Sequence, residues 1–337
     1  MKKILITGAS GFIGGFLVQQ ALDEGLDVWA GVRATSNRSR LQDKRIHFID
    51  LKYDNPALLT EQISDFASAY GGAWDFVVHN AGVTKALDKN EFMRVNFENT
   101  AHLVDALINA QCVPARFVLM SSLSTFPSAS EKTFRPISPD DPQTPATAYG
   151  QSKLKAEQYL KSKSGFPFTI MRPTGVYGPG DKDYLEEFQM VKSGLGFTVG
   201  MIPQRLTFIY AADLARAVVK AAQSEAALGK AYFVADGDVW TDKEFVSLLG
   251  ELLGKKHLLY LRIPLPLVHF ICVVSEFFGN LRGKAVTLNR DKYYIFSQRN
   301  WICDTSAIKQ DLGFEAQFDL RRGVQAAIDW YRQHGWL

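Results

Sequence analysis

The chain has 337 residues, 47% hydrophobic and 22% charged, which excludes a disordered or fibrous protein. Thirty-eight Lys and Arg stand against 35 Asp and Glu, and a net charge of +3 with scattered cations argues against a nucleic-acid partner. Cys112, Cys272 and Cys303 are odd in number and form no CxxC pair, which argues against a disulfide framework and fits a reducing, cytoplasmic setting.

The apolar run at the N-terminus is too short for a signal peptide. Lys2–Thr7 reads as a strand, and Phe12–Glu24 as a helix with Ile13, Phe16, Leu17 and Leu22 at helical spacing. Between them lies Thr7-Gly8-Ala9-Ser10-Gly11-Phe12-Ile13-Gly14. A glycine-rich turn from strand to helix cradles a pyrophosphate. Gly8 permits the tight turn, Gly11 lets the backbone approach, and Gly14 lets helix and strand pack closely. Gly8, Ser10, Gly11, Phe12, Ile13 and Gly14 are therefore the candidate dinucleotide cradle.

The second strand, Val28–Val32, ends at Arg33. A carboxylate there would bind the ribose 2′-hydroxyl of NAD, whereas an arginine stacks on adenine and pairs with a 2′-phosphate. The preferred cofactor is thus NADP, with NAD the alternative and Arg38 a second cation. A solvated strand-end charge is the plainer reading of Arg33. After a third strand, Ile46–Ile49, come Asp50 and Leu51, where a carboxylate can accept from the adenine amino group. A helix over Pro56–Tyr70 and a strand over Phe76–His79 lead to Asn80, Ala81 and Gly82, small residues beside which a cofactor can pass. His79 reads as a packed strand histidine.

Phe92–Ala110 is expected to be helical, and Asn96, a poor helix former, stands out inside it. The strand Phe117–Met120 closes on Ser121 and Ser122, at the sheet edge where ligands bind in parallel α/β folds. Residues 128–147 read as a surface loop. A helix over Tyr149–Lys163 then places Tyr149 and Lys153 on one face, four residues apart. A phenol titrates near 10, and a lysine cation with an oxidised nicotinamide would draw it down; ~3 units require about 4 kcal/mol. Ser122 can orient a carbonyl and stabilise its developing charge. Phe168–Met171 is the next strand, with Pro173 just beyond it.

In the last third, Ala231–Val234 reads as a strand and Leu320–Tyr331 as an amphipathic helix. The segment Ile263–Gly279 is apolar but carries two prolines, His269, Ser275 and Glu276, short of the about 20 apolar residues a membrane span needs. It is expected to be a buried or substrate-capping helix, with shallow membrane contact as the lesser alternative. Alternating strands and helices give an α/β fold, a Rossmann-type doubly wound parallel sheet with a smaller C-terminal substrate-binding lobe. The expected boundaries are 1–172 for the dinucleotide domain, with about 204–236 returning to it, and 173–337 mainly for the lobe.

The ordered set GASGFIGG, Asp50-Leu51, Asn80-Ala81-Gly82, Asn96, Ser121-Ser122, YGQSK, RPTGVYGPGD from Arg172 and FIYAADLA from Phe208 resembles the extended short-chain dehydrogenase/reductase superfamily, the NAD-dependent epimerase/dehydratase family. The resemblance spans nearly the whole chain. It implies Tyr149 as acid/base, Lys153 as its activator and a ribose contact, Ser122 as carbonyl partner, with Ser121 and Ser124 as rivals, Asn96 near a proton relay, and Asp213 as structural. Nucleotide-sugar members carry an asparagine where this chain has Gly175 and an arginine where it has Leu206, with Arg205 adjacent. Arg33 and the apolar stretch after residue 262 are closer to the dihydroflavonol-reductase-like and 3β-hydroxysteroid-dehydrogenase-like branches. The expected activity is hydride transfer between nicotinamide and a small or hydrophobic carbonyl or alcohol substrate. Phe126, Phe188, Met201 and Phe270 are candidate pocket walls. A nucleotide-sugar epimerase or dehydratase and a non-catalytic NAD(P)-binding regulator are the alternatives. A homodimer is the superfamily's usual state, and the six histidines lack metal-ligand spacing.

Overall fold

The computed structural model describes residues 1–283, Val286 and 288–337. Seven strands form one parallel sheet: β1 Lys3–Thr7, β2 Asp27–Gly31, β3 His47–Ile49, β4 Phe76–His79, β5 Arg116–Met120, β6 Phe168–Pro173 and, much later, β11 Ala231–Val234. Their order is β11-β6-β5-β4-β1-β2-β3. Successive side chains on a strand point to opposite faces. Ile4, Ile6, Phe76, Val78, Val118 and Met120 accordingly pack into one core with α1 (Phe12–Asp23) and α7 (Ala211–Gln223). Leu5, Val77, Phe117 and Leu119 join the other, under α2 (Pro56–Ala69), α4 (Asn99–Asn109) and α5 (Ala148–Ser162). Covering both faces explains why β4 and β5 read as unbroken apolar runs.

The chain order reverses between β1 and β4. At such a switch point the two connections leave in opposite directions and open a crevice at the strands' carboxyl ends.

The remaining strands are short: β7 Gly175–Tyr177, β8 Leu195–Val199, β9 Arg205–Leu206, β10 Phe208–Tyr210, β12 Trp240–Thr241, β13 Leu259–Ile263 and β14 Asn300–Trp301. They pair among themselves as β7 with β10, β9 between β12 and β14, and β8 with β13. Thus β9 and β10 lie outside the main sheet, while α7 and β11 return to it. A separate core is built from Tyr177, Phe188, Phe208, Phe245, Val324, Ile328 and Tyr331, contributed largely by α6 (Leu185–Lys192), α8 (Asp242–Leu252) and α12 (Leu320–Gln333). Asp213 is structural, because its carboxylate accepts from Gln317 N and Phe318 N at 3.0 and 2.8 Å and ties α7 to the start of α12's approach.

Two expectations change. The helix predicted over Phe92–Ala110 is α3 (Lys89–Phe92), a π-helical stretch over Met93–Glu98, and α4. The apolar segment after residue 262 becomes α9 (Leu265–Leu281), beside α10 (Arg290–Ser297), but it is not buried: Leu267, Phe270, Phe277, Phe278 and Leu281 are exposed. Among the described residues no helix is long and apolar enough to cross a membrane.

Candidate active site

A cleft of about 1970 Å³ runs along the switch point and on beneath the C-terminal lobe. Gly8, Ser10, Gly11, Phe12, Ile13, Arg33, Asp50, Leu51, Asn80, Ala81, Gly82, Ser122, Tyr149, Lys153 and Pro173 all line it. Gly14 and Asn96 do not, and the packing shows why.

Gly8 turns the chain at φ +64, where an added Cβ would sit 2.8 Å from Ala81 Cα. A Cβ on Gly14 would collide with the Gly8 carbonyl, so Gly14 serves helix-to-strand contact rather than a ligand. Helix α1 has Gly11 as its N-cap, with no side-chain cap and no acid in its first turn. Its N–H groups therefore face the cleft as an anion seat, and the cradle fits a dinucleotide pyrophosphate. The strand before the turn is tied to the end of β4 by Thr7 Oγ1, which accepts from Ala81 N at 3.1 Å and shares a hydrogen bond with His79 Nδ1 at 2.9 Å. His79 Nε2 lies 3.1 Å from Thr100 Oγ1. Burial, aided by the Lys153 charge, pushes this histidine down to about 3, which keeps it neutral and structural.

Asn96 is buried in the π-helical turn. Its Oδ1 accepts from Val83 N at 2.8 Å, and its Nδ2 donates to Val83 O and Ser152 Oγ, both at 3.0 Å. It clamps the loop after β4 to the helix carrying Tyr149. A Cβ on Gly82 would approach Asn96 Oδ1 to 2.8 Å and Lys153 Nζ to 3.1 Å, so only glycine leaves that clamp intact.

Thr147 caps α5 by accepting from Gly150 N at 3.0 Å. A Cβ on Gly150 would run into Ser124 O, and this close approach brings Tyr149 beside the Ser122 turn. The Ser122 side chain lies near enough to the Tyr149 hydroxyl to favour its ionisation. Lys153 Nζ donates to Met120 O at 2.8 Å, at the end of β5. The rival Ser124 touches Ser122 Oγ at 3.1 Å, and Ser121 instead donates to Glu157 Oε1 at 2.5 Å, inside a buried network with Arg172. The protein's own groups do not draw the phenol down. Burial pushes Tyr149 up to about 12, against the lowering from Ser122, while burial brings Lys153 down to about 8.

Residues 4–235 match the model of the NAD dependent epimerase/dehydratase family. The chain belongs to that family. It is similar to the ceramide reductase of Caulobacter vibrioides, 25% identical over 338 residues, covering 99% of this chain and 96% of that one. It is equally similar to the UDP-glucose 4-epimerase of Vibrio cholerae, 25% identical over 346 residues, covering 98% and 96%. The fold is shared with the Bordetella bronchiseptica enzyme WbmG, solved with NAD and UDP, at a TM-score of 0.76 and 20% identity over 98% of this chain and 95% of that one.

Within the family frame the substrate end differs from expectation. Phe126 and Phe188 are core residues and Met201 and Phe270 face solvent, so none of the four lines the cleft. The wall is built instead by Leu195, Phe197, Leu206, Ile295 and Phe296, with Glu187 and Lys292 among them. A Cβ on Gly175 would collide with the Tyr184 hydroxyl, so the space an asparagine would need is filled. Arg205 lies outside the cleft, its guanidinium 4.3 Å above the Phe134 ring. At the other end Arg33 is exposed, Arg38 covers the Phe48 ring at 4.4 Å, and Asp50 carries the Lys52 ammonium at 2.6 Å. Arg40, which sequence reasoning missed, donates to Gly180 O at 2.8 Å and so links the loop after β2 to the lobe. Tyr184 and Arg40 had no local signal, since their partners lie 9 and 140 positions away. Gly150, inside the YGQSK string, did have one.

Proposed function

We propose that this family member is an NAD(P)-dependent oxidoreductase that moves hydride between nicotinamide and a carbonyl or alcohol carbon on a substrate lacking a nucleoside diphosphate. The carrying observation is the filled space at Gly175: the Tyr184 hydroxyl sits where a diphosphate-binding side chain would start, and Leu206 offers no charge. Each lost polar or charge-assisted contact of that kind is worth roughly 1–3 kcal/mol. The similarity to a ceramide reductase supports a carbonyl substrate with apolar substituents, as does the wall of Leu206, Ile295 and Phe296.

The turn residues Gly8 and Ser10–Ile13, with Arg33, Asp50, Leu51, Asn80–Gly82, Lys153 and Pro173, would hold the dinucleotide, which supplies the hydride. Arg33, with Ser36 and Asn37 also lining the cleft and no acid at the end of β2, favours NADP. Ser122 fixes the substrate oxygen against Tyr149. With its phenol at about 12, Tyr149 is a proton donor at neutral pH and suits carbonyl reduction. The reverse reaction needs the phenolate, which Lys153 stabilises. Alcohol oxidation should therefore speed up as pH rises toward the range of these groups, and carbonyl reduction should not.

Purified protein is to be assayed with NADPH and NADH against a long-chain ketone, a 3-ketosteroid, and UDP-glucose or UDP-galactose. The expected result is stoichiometric oxidation of the dinucleotide by a ketone, faster with NADPH. Tyr149→Phe should lower the rate about 10²–10⁴-fold while dinucleotide binding persists. Interconversion of the UDP-sugars without net dinucleotide consumption would overturn the proposal, as would full turnover by the phenylalanine variant.

A further inference from the structure

Helix α9 has two apolar faces, and the fold uses one. Val268 and Cys272 point inward and are buried. Leu267, Phe270, Ile271, Phe277, Phe278 and Leu281 remain 37–68% exposed. Their spacing repeats at three and four residues, so they form one stripe down the helix, roughly 21 Å long at 1.5 Å per residue. The stripe bares on the order of 600 Å² of apolar surface, the upper end of what a monomer leaves to water. It does not stand alone. Strand β13 exposes Leu259, Tyr260 and Leu261, and Met201 and Ile202 project beside it at 71% and 59% exposure. This ledge is joined to the strand by Gly200 N donating to Ile263 O at 2.9 Å and by Arg262 donating to Met201 O at 3.4 Å.

The charge around this platform identifies what covers it. Residues 255–290 hold six Lys and Arg and one carboxylate, whereas the rest of the chain holds 32 and 34. The cations include Lys256 and Arg262 about β13 and Arg282 and Arg290 beyond α9, all exposed. The one carboxylate, Glu276, is turned away from the stripe toward Arg290 at 3.7 Å. Four exposed cations among the described residues, set against this one carboxylate, would repel a second copy placed face to face and complement an anionic surface. At 17 residues α9 is about 25 Å long, shorter than a bilayer's hydrocarbon core, so it would lie along the interface rather than cross it.

We propose that α9, β13 and the Met201–Ile202 ledge form a docking platform for an anionic phospholipid bilayer. Helix α9 packs on α10 through the His269 and Tyr293 rings, 4.7 Å apart, and α10 lends Lys292, Ile295 and Phe296 to the substrate end of the cleft. Docking therefore brings that end of the cleft next to the membrane surface. This inference is independent of the reading of Tyr149, because vesicle binding and turnover of a water-soluble ketone are measured separately.

The test is flotation of the full-length protein with vesicles of phosphatidylcholine alone and with added phosphatidylglycerol, at low and high salt, beside analytical ultracentrifugation without lipid. Binding should require phosphatidylglycerol, weaken with salt, and drop at least about tenfold in Phe270→Glu/Phe277→Glu, since burying two phenylalanines is worth more than that. Both substituted side chains are exposed, and an unchanged melting temperature checks that the variant is folded. Vesicle binding unaffected by the double substitution overturns the proposal. So does absence of vesicle binding, and so does a dimer that the double substitution abolishes while the vesicles stay empty.

Discussion

Gly150 separates the phenol of Tyr149 from the rest of its helix, and it has no room for even one methyl group. Gly150→Ala must push α5 away from Ser124 O and stretch the contact between Ser122 and Tyr149. Displacements of about 1 Å at a reacting group can cost 10²-fold in rate. We expect kcat to fall by about that factor while dinucleotide affinity, measured by fluorescence titration, stays within twofold; unchanged kcat would contradict this placement. Such residues mark how far the sequence could be read. Tyr149, Lys153, Ser122 and the glycine turn were legible because each answers to a spacing or a strand end. Ser121 and Ser122 are chemically identical neighbours, and only the burial of Ser121 against Glu157 separates their roles. Tyr184 was illegible because it acts by occupying space beside Gly175, and no pattern in a sequence records an occupied volume.

At the scale of elements, helix α5 works on two sides. Its first turn carries Tyr149 and Lys153, and two turns on it buries Glu157 completely. That carboxylate receives Ser121, Gln143 and a paired contact from Arg172 at 3.0 and 2.6 Å. These donors hold it below the usual carboxylate range in spite of burial. Removing one partner strands the other charge in a dry site. Glu157→Ala should therefore cost about 3–5 kcal/mol of stability, read as a lowered denaturation midpoint. A loss under about 1 kcal/mol would mean that Arg172 finds solvent. Periodicity located the seven strands of the main sheet and helices α1, α2, α5 and α12 to within two residues, but gave no bounds for α7 or α8. It missed the π-helical turn, whose extra residue leaves the apolar pattern of 92–110 nearly intact while rotating Asn96 inward. It also missed the pairing of β8 with β13. The strand Leu259–Ile263 alternates Leu and Ile with Tyr260 and Arg262, which marks a face but names no partner strand.

For the molecule as a whole, proton uptake couples stability to pH in an unusual sense. Burial raises the carboxyls of Glu187 and Asp236 to about 7 and of Asp181 to about 6. Each binds its proton more readily folded than unfolded, so each adds stability as pH falls from about 7 toward 4. His79 acts oppositely. Its folded value of about 3 lies below the free value, so its contribution is complete above about 6.5 and is lost as pH falls toward 3. Three gains outweigh one loss near pH 5.5 by about 2–3 kcal/mol, enough to raise the melting temperature by a few degrees relative to pH 7.5. Thermal melts of the ligand-free protein across that interval check the sign, and a steady fall in melting temperature would refute it.

The guanidinium of Arg40 spans the gap between the loop carrying Arg33 and the carbonyl of Gly180, a few residues before Tyr184. A mooring line of this kind makes the two halves of the crevice share one posture. Were a dinucleotide to tighten the loop carrying Arg33, this bridge would pass the change on toward the wall of the lobe. Reciprocity then obliges the reactant to alter the grip on the dinucleotide by the same factor, and cutting the line with Arg40→Ala would let each ligand bind in ignorance of the other.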